Sequence, residues 1–411
     1  MKKIIKFIEN TFVPYVNEVK SHQLRITKYK IENMFRLKIR ITRDKLHTRA
    51  LEQVNVAGIE NAGSSAISYW ISKIAKIGIY NQLFINSRDI YKQNKPGGRI
   101  LAADGTVIST HMHNKHGISK GSLTVCALLN IDTQLFHDYM IADDCNEHTS
   151  LIKQVLKCTR DDLIIADRNY GKYCLLAQLY GHVGFLVRIS KNMNIYKNFI
   201  NSPEYSVIID YNHNGVKMRL KLIKYVISKA TRERIKTYMF DIKQSSNDDD
   251  ESVFVLCTNN LNMSEEIAGQ LYRRRWNIET GFRALKSNFD VRTPVKVSNC
   301  NTITEMVEYT VGLSIIMYNI SQHIKYTRDS EKRECRFSHC AIQTRYMLEQ
   351  IIINPSLINI TNLIHELSHR LKTHLIRSIR WITMWGNHIK NRGRYKSKKT
   401  IESLNKVDNT K

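Results

Sequence analysis

The sequence predicts an α/β fold, a mixed sheet with helices on its faces, and three observations lead there. Between residues 100 and 187 apolar strand-like runs alternate with helical spacing in the order strand, strand, strand, helix, strand, helix, strand. Residues 190 to 262 change character, with two-residue alternation from Val216 to Leu222 and further strand-like runs, which marks a β-rich insertion. Residues 1 to about 95 show only helix-like spacing, which marks an N-terminal helical domain.

The N-terminal segment is strongly basic. Between Lys20 and Arg49 ten Lys or Arg residues face only Glu32 and Asp44, the charge pattern of a DNA-contacting helical module or of a solvated helix face. Lys95-Pro96-Gly97-Gly98 then breaks the helical pattern, and Ile100 to Ala103 runs as a short buried strand into Asp104-Gly105-Thr106. His111, His113 and His116 come next in what reads as a polar turn, without cysteine partners at zinc spacing. Two apolar runs, Ser122 to Asn130 and Leu135 to Ile141, flank Asp132-Thr133 as antiparallel strands. Glu147 to Leu156 suits a helix, Leu163 to Ala166 a strand ending at Asp167, and Val183 to Val187 a further strand.

In the insertion Asn214-Gly215 supplies a hairpin turn before the alternating Val216, Met218, Leu220 and Leu222. Tyr238 to Ile242 and Val253 to Cys257 continue as strands, and Asp248 to Glu251 between them reads as a solvated turn. From Met263 onward the spacing is helical, and the chain finishes in a basic tail after Asn391. Residues 367 to 401 carry ten Lys or Arg and no acidic residue, which suits phosphate contact or a solvated tail. The resulting division is 1–95 helical, basic and DNA-contacting, 99–189 first part of the core, 190–262 insertion, 263–325 second part of the core, and 326–411 C-terminal helices and tail.

Composition bounds the function. Sixty-three basic against 37 acidic residues leave +26, a charge that repels itself unless it is matched by a polyanion, so nucleic acid is the first partner to consider. Eight scattered cysteines without a CxxC pair, and no leader-like N-terminus, indicate reduced thiols in a cytosolic compartment. Cys335 and Cys340 beside His339 do not make a zinc pattern. The most apolar stretch, Val311 to Ile320, is too short to span a bilayer, so no membrane partner is expected.

Asp104 and Asp167 each close an apolar strand. Neighbouring strands could bring the two carboxylates together as an oxygen-rich site suited to Mg²⁺ or Mn²⁺, although a strand-end Asp capping the next helix is an equally ordinary reading. The segment Leu271 to Lys286 is more specific. Read as one continuous helix, it places Tyr272, Arg275, Glu279, Phe282 and Lys286 within an arc of roughly 80°. A core face would be apolar and a solvated face has no reason to align these types. Trp276 and Leu285, near the edges of that arc, can anchor the helix to the core. Trp276, Trp381 and Trp385 read as core before they read as stacking partners for an extruded base.

The spacing of Tyr272, Arg275, Glu279 and Lys286, with two, three and six residues between them, resembles the Tyr-Arg-Glu-Lys signature of DDE-class insertion-sequence transposases. The resemblance is to the bacterial and archaeal hairpin-forming group that inserts a β-rich domain before the glutamate. Asp104-Gly105-Thr106 is similar to that family's first aspartate motif and Asp167-Arg168-Asn169-Tyr170-Gly171 to its second, with Asn169 where glycine is common. The resemblance covers roughly residues 99 to 325. It implies an RNase H-like (retroviral integrase-like) core in which Asp104, Asp167 and Glu279 are catalytic and hold two Mg²⁺ or Mn²⁺ ions. Tyr272, Arg275 and Lys286 would then bind DNA.

The function implied by the resemblance is that of a DNA transposase, a polynucleotidyl transferase and endonuclease that cuts and joins at terminal inverted repeats of an insertion sequence in a cut-and-paste manner. The implied partners are double-stranded transposon ends and target DNA, with a homodimer in the synaptic complex, in the nucleoid-associated cytoplasm of a prokaryote. A different RNase H-like nuclease and a non-catalytic, domesticated DNA-binding descendant are the competing readings.

Overall fold

The computed structural model describes residues 2–21, 80–90, 98–114, 117–142, 146–226, 253–289, 295–297, 303–328, 333–372 and 375–377, with the isolated positions 69, 73, 74 and 291. A central sheet organises them. Its strands are β1 (Ile100–Asn114), β2 (Gly117–Asn130), β3 (Leu135–Ala142), β4 (Leu163–Ala166), β5 (Gly184–Arg188), β6 (Ser206–His213), β7 (Val216–Val226) and β8 (Val253–Thr258), in the spatial order β3-β2-β1-β4-β5-β8-β7-β6. A short β9 (Val295–Val297) pairs with the far end of β1. Pairing is antiparallel for β1–β2 and β2–β3 and parallel for β1–β4 and β4–β5, the mixed sheet that the element order predicts. It turns antiparallel again from β5 outward.

Period-two alternation divides the core into two faces. Leu101, Ala103, Ile164, Ala166, Phe185 and Val187 point to one side, covered by α4 (Glu147–Val155), α5 (Tyr173–Leu179) and α6 (Asn194–Ile200). Ala102, Val125, Ala127, Leu129, Ile165 and Leu186 point to the other. That side is covered by α1 (Lys2–Phe7), α2 (Val13–Ser21), α3 (Tyr80–Asp89), α7 (Glu265–Arg274), α8 (Trp276–Asn288), α9 (Ile303–Arg328), α10 (Phe337–Ile353) and α11 (Leu357–Lys372).

The residues of the β-rich insertion join the central sheet, where β8 pairs with β5 and carries β7 and β6 outward. Its Asn214-Gly215 hairpin forms as expected, with φ of 50° and 85° at the two turn residues, the left-handed pair a tight hairpin needs. Three expectations change. The described parts of the N-terminal region are not a separate helical unit. Ile4, Phe7, Ile8, Phe12, Tyr15, Val16 and Val19 are buried in the same core as α9 to α11, and Tyr15 Oη donates to Tyr309 Oη at 3.4 Å. The histidine segment is a strand end, not a turn: β1 continues through His111 and His113 to Asn114, paired with Lys120 to Gly117. Trp276 is 48 % exposed rather than core. The expectations for residues 22–49, Tyr238 to Ile242, Asp248 to Glu251, Trp381, Trp385 and the basic tail lie outside the described residues.

Helix α9 explains the apolar stretch. Every residue from Tyr309 to Ile320 is buried, and a helix apolar all round belongs in a core. No helix among the described residues is long and apolar enough to cross a membrane. Its polar side chains are satisfied: Ser314 Oγ donates to the Thr310 carbonyl at 2.8 Å. Asn319 accepts from Phe136 N–H at 3.0 Å and donates to the Phe136 carbonyl at 3.2 Å. It thereby pairs backbone groups of the edge strand β3 as a further strand would.

Candidate active site

The parallel pairing of β1 with β4 sets Ala103 opposite Ala166, so Asp104 and Asp167 occupy the next positions on adjacent strands. Both Ala103 and Ala166 face α4 and α5, so strand alternation turns the two aspartates toward the face covered by α8. Each carboxylate is held locally by backbone. Asp104 Oδ1 accepts from Gly105 N–H at 2.9 Å, and Asp167 Oδ1 accepts from Asn169 N–H at 2.9 Å while capping a 3-10 turn over Arg168–Tyr170.

Glu279 comes from α8. Gly281 lets this helix approach the sheet: a Cβ there would lie 3.0 Å from Leu129 Cδ1 and 3.1 Å from Phe136 Cζ. Phe282 packs its ring 5.7 Å from that of Phe136. The predicted continuous helix from Leu271 to Lys286 is in fact two, α7 and α8, meeting at Arg275. The joint is tightened by three-residue bonds, Arg275 N–H to the Tyr272 carbonyl at 3.1 Å and Ile278 N–H to the Arg275 carbonyl at 3.2 Å. Arg275 takes the inward position at the break and Trp276 remains outside, which is why the tryptophan is not core.

The guanidinium of Arg275 stands among the carboxylates. Nη2 bonds Glu279 Oε1 at 2.7 Å and Nη1 lies 3.9 Å from Asp104 Oδ2. Its side chain is only 7 % exposed, and its Nε is a buried donor without a hydrogen-bond partner. Burial opposes its charge, but Tyr272, Glu279 and Asp104 outweigh that and hold it cationic. Burial pushes the Asp104 carboxyl up to about 7; Arg275 pulls it down, while Asp167 and Glu279 push it further up. The three acidic groups therefore share one electrostatic site that is short of positive charge.

Tyr272 is buried, its hydroxyl pushed upward by that burial, and its ring lies 6.0 Å from the Arg275 guanidinium and 6.3 Å from the Tyr225 ring. Lys286 is half-buried on α8, two turns beyond Glu279. The structure thus joins Asp104, Asp167, Glu279, Arg275 and Tyr272 in one neighbourhood. Among the described residues, no three acidic, histidine or cysteine side chains converge closely enough to coordinate one ion in this arrangement. The donor set is nevertheless the all-oxygen, anionic kind that suits a hard divalent cation. Burial, which pushes Asp104 toward its protonated form, together with the neighbouring Asp167 and Glu279 carboxylates, fits such an ion.

Two further residues border the site. Arg188, ending β5 beside the end of β4, lies with its guanidinium carbon 3.5 Å from the centre of the Phe254 ring. Burial lowers its basicity, and Asp167 is among the charges that counter this. The signal that marks the aspartates, a polar residue closing an apolar strand, marks Arg188 too. Glu147, in the first turn of α4, reaches Asn169 and Gly105 from the opposite face of the sheet.

Residues 95–301 match the family model described as Transposase DDE domain, a span of half the chain. The chain belongs to this transposase family. Among solved structures it is similar to a piggyBac transposase synaptic complex with hairpin DNA determined by cryo-EM, at 13 % identity and a TM-score of 0.46, covering 88 % of this chain and 84 % of that one. No curated protein matches. The mixed α/β sheet is consistent with the core of a DDE-domain transposase.

Proposed function

We propose that this transposase is an active, divalent-cation-dependent enzyme that cuts DNA at the terminal inverted repeats of an insertion sequence and joins the freed ends to a target, in a cut-and-paste manner. The observation that carries the reading is the register that places Asp104 beside Asp167, with Glu279 and Arg275 opposite them. Asp104, Asp167 and Glu279 would hold two Mg²⁺ or Mn²⁺ ions. Bound there, such a pair activates a water or 3′-hydroxyl nucleophile, stabilises charge on phosphorus and neutralises the leaving 3′-oxygen.

The chain's own groups do the rest. Gly105 and Asn169 backbone N–H groups each fix one oxygen of an aspartate, so that the other would be available to a cation. Arg275, paired to Glu279 while cations are absent, is placed to turn to a phosphate oxygen, and its unused Nε is a donor for it. Tyr272, buried beside the guanidinium, would hold Arg275 at the DNA-binding surface, and Lys286 would extend the positive surface along α8. The +26 charge draws in transposon ends and target DNA. Two copies of the chain bridging both ends make the working assembly.

The test is Mg²⁺-dependent cleavage of linear DNA carrying the gene's own flanking ends, with wild type beside Glu279→Ala, both folded and both binding ends. Wild type is expected to cut at the element boundary and the variant to be slower by about 10³-fold or more. Binding by both without cleavage by either, in Mg²⁺ or Mn²⁺, would make the chain a DNA-binding descendant instead. Equal cleavage by both would remove Glu279 from the chemistry.

A further inference from the structure

The two aspartate segments are tied together by a residue that the family signature does not include. Gly105 alternates toward the α4 face of the sheet and, lacking a side chain, leaves a space there. Glu147 fills it: a Cβ built on Gly105 would lie 2.2 Å from Glu147 Oε1 and 2.6 Å from its Cδ. The other carboxylate oxygen, Oε2, accepts from Asn169 Nδ2 at 3.0 Å. Gly105 and Asn169 are the two residues whose backbone N–H groups hold Asp104 and Asp167. One carboxylate therefore touches the holder of each aspartate.

The surrounding turn is built to keep it there. Asn146 caps α4 by accepting from His148 N–H at 3.1 Å and Thr149 N–H at 3.2 Å. The His148 ring bonds the Asn169 carbonyl through Nε2 at 2.8 Å, as the donor, and meets the Tyr170 ring edge-on at 5.9 Å. Asn169, which stands where glycine is common in the resembling family, is clasped through both its side chain and its carbonyl. A glutamate needed only to complement the helix dipole would require none of these contacts.

We propose that Glu147 is a positioning residue of the catalytic centre: wedged against Gly105 and bonded to Asn169, it fixes the Asp104 and Asp167 segments relative to one another for cation binding. The proposal rests on the reading of those aspartates as cation ligands. Partners of metal ligands that orient without touching the ion typically govern its affinity by about 10–100-fold.

The experiment titrates the folded full-length chain with Mn²⁺, following free ion by electron paramagnetic resonance, and separately finds the Mg²⁺ midpoint for end cleavage. Glu147→Ala and Asn169→Gly are each expected to weaken both midpoints by about 10–100-fold. The double variant should be no weaker than Glu147→Ala alone, since that variant already removes the contact that Asn169→Gly removes. Glu147→Gln keeps the shape and an oxygen to accept from Asn169, so it should stay within about threefold of wild type. A Glu147→Gln as impaired as Glu147→Ala would show that charge rather than placement matters and overturn the proposal. Wild-type midpoints in Glu147→Ala and Asn169→Gly would overturn it too. Asp167→Asn separates this failure from a deeper one: if it also binds Mn²⁺ as wild type does, the cation-ligand reading falls and takes the Glu147 proposal with it.

Discussion

Arg275 is the residue on which the site's electrostatics turn. It is the guanidinium placed between Glu279 and Asp104, and removing one member of a buried ion pair leaves uncompensated charge behind. Arg275→Ala is therefore expected to destabilise the cation-free protein by about 3 kcal/mol, measured by urea unfolding in EDTA. Added Mn²⁺ should narrow that gap, because a cation held by the same carboxylates stabilises the folded state only. A gap unchanged by Mn²⁺ would mean that guanidinium and cation do not share the site. Gly105→Ala tests the neighbouring contact from the other side. Its methyl meets the movable end of Glu147 rather than backbone, so the fold should survive with a loss under about 1 kcal/mol. The Mg²⁺ midpoint for cleavage should rise nonetheless, and an unchanged midpoint would show that the carboxylate can leave Gly105 without consequence.

Among the elements, α9 shows how a buried polar side chain can hold a helix against a sheet. Asn319 makes two bonds to the Phe136 backbone on the edge strand β3. Asn319→Ala would strand a buried N–H and a buried carbonyl, at about 2–4 kcal/mol measured by urea unfolding. A loss below about 0.5 kcal/mol would mean that neither bond contributes. The legibility of the elements follows the same local-versus-distant division. Asp104 and Asp167 are readable because a carboxylate closing an apolar strand is a local pattern, and the β1–β4 register then brings them together. The Asn214-Gly215 turn is readable for the same reason. The break at Arg275 is not, since good helix formers run straight through it and only the folded structure shows where the hydrogen-bond ladder is interrupted. Glu147 looks like any first-turn glutamate until Gly105 and Asn169, 42 and 22 positions away in the chain, are folded against it. Nor could spacing alone show that β8 would pair with β5, or that Tyr15 would meet Tyr309.

At the scale of the whole molecule, three buried titratable groups on different elements give the folded state a pH dependence whose sign can be worked out. His137 on β3 accepts a hydrogen bond at Nε2 from Arg99 Nη1 at 2.6 Å, and burial together with Arg88 and Arg99 pushes its pKa down to about 3. His323 on α9 donates from Nε2 to the Ser87 carbonyl at 3.0 Å, and burial pushes its pKa down to about 4. Unfolded histidine titrates near 6.5, so between pH 6 and 5 each of these takes up a proton on unfolding and stability falls with pH. Asp104 acts in the opposite sense. Raised to about 7, it is protonated in the folded, cation-free protein and ionised once unfolded, so it releases a proton and stabilises the fold as pH falls. Two protons taken up and one released leave a net of about one, and wild type in EDTA should lose about 1 kcal/mol per pH unit across this window. Asp104→Asn removes the release and should lose about 2.5 kcal/mol per pH unit. Urea unfolding at pH 6.0, 5.5 and 5.0 reads both slopes. Equal slopes would show that Asp104 is already ionised without cations, in which case the three carboxylates are neutralised by Arg275 and its surroundings more fully than their burial implies. Unequal slopes of the stated size would tie the acidic centre on one side of the sheet to the stability of the whole fold, and would make cation binding at Asp104 release a proton below pH 7.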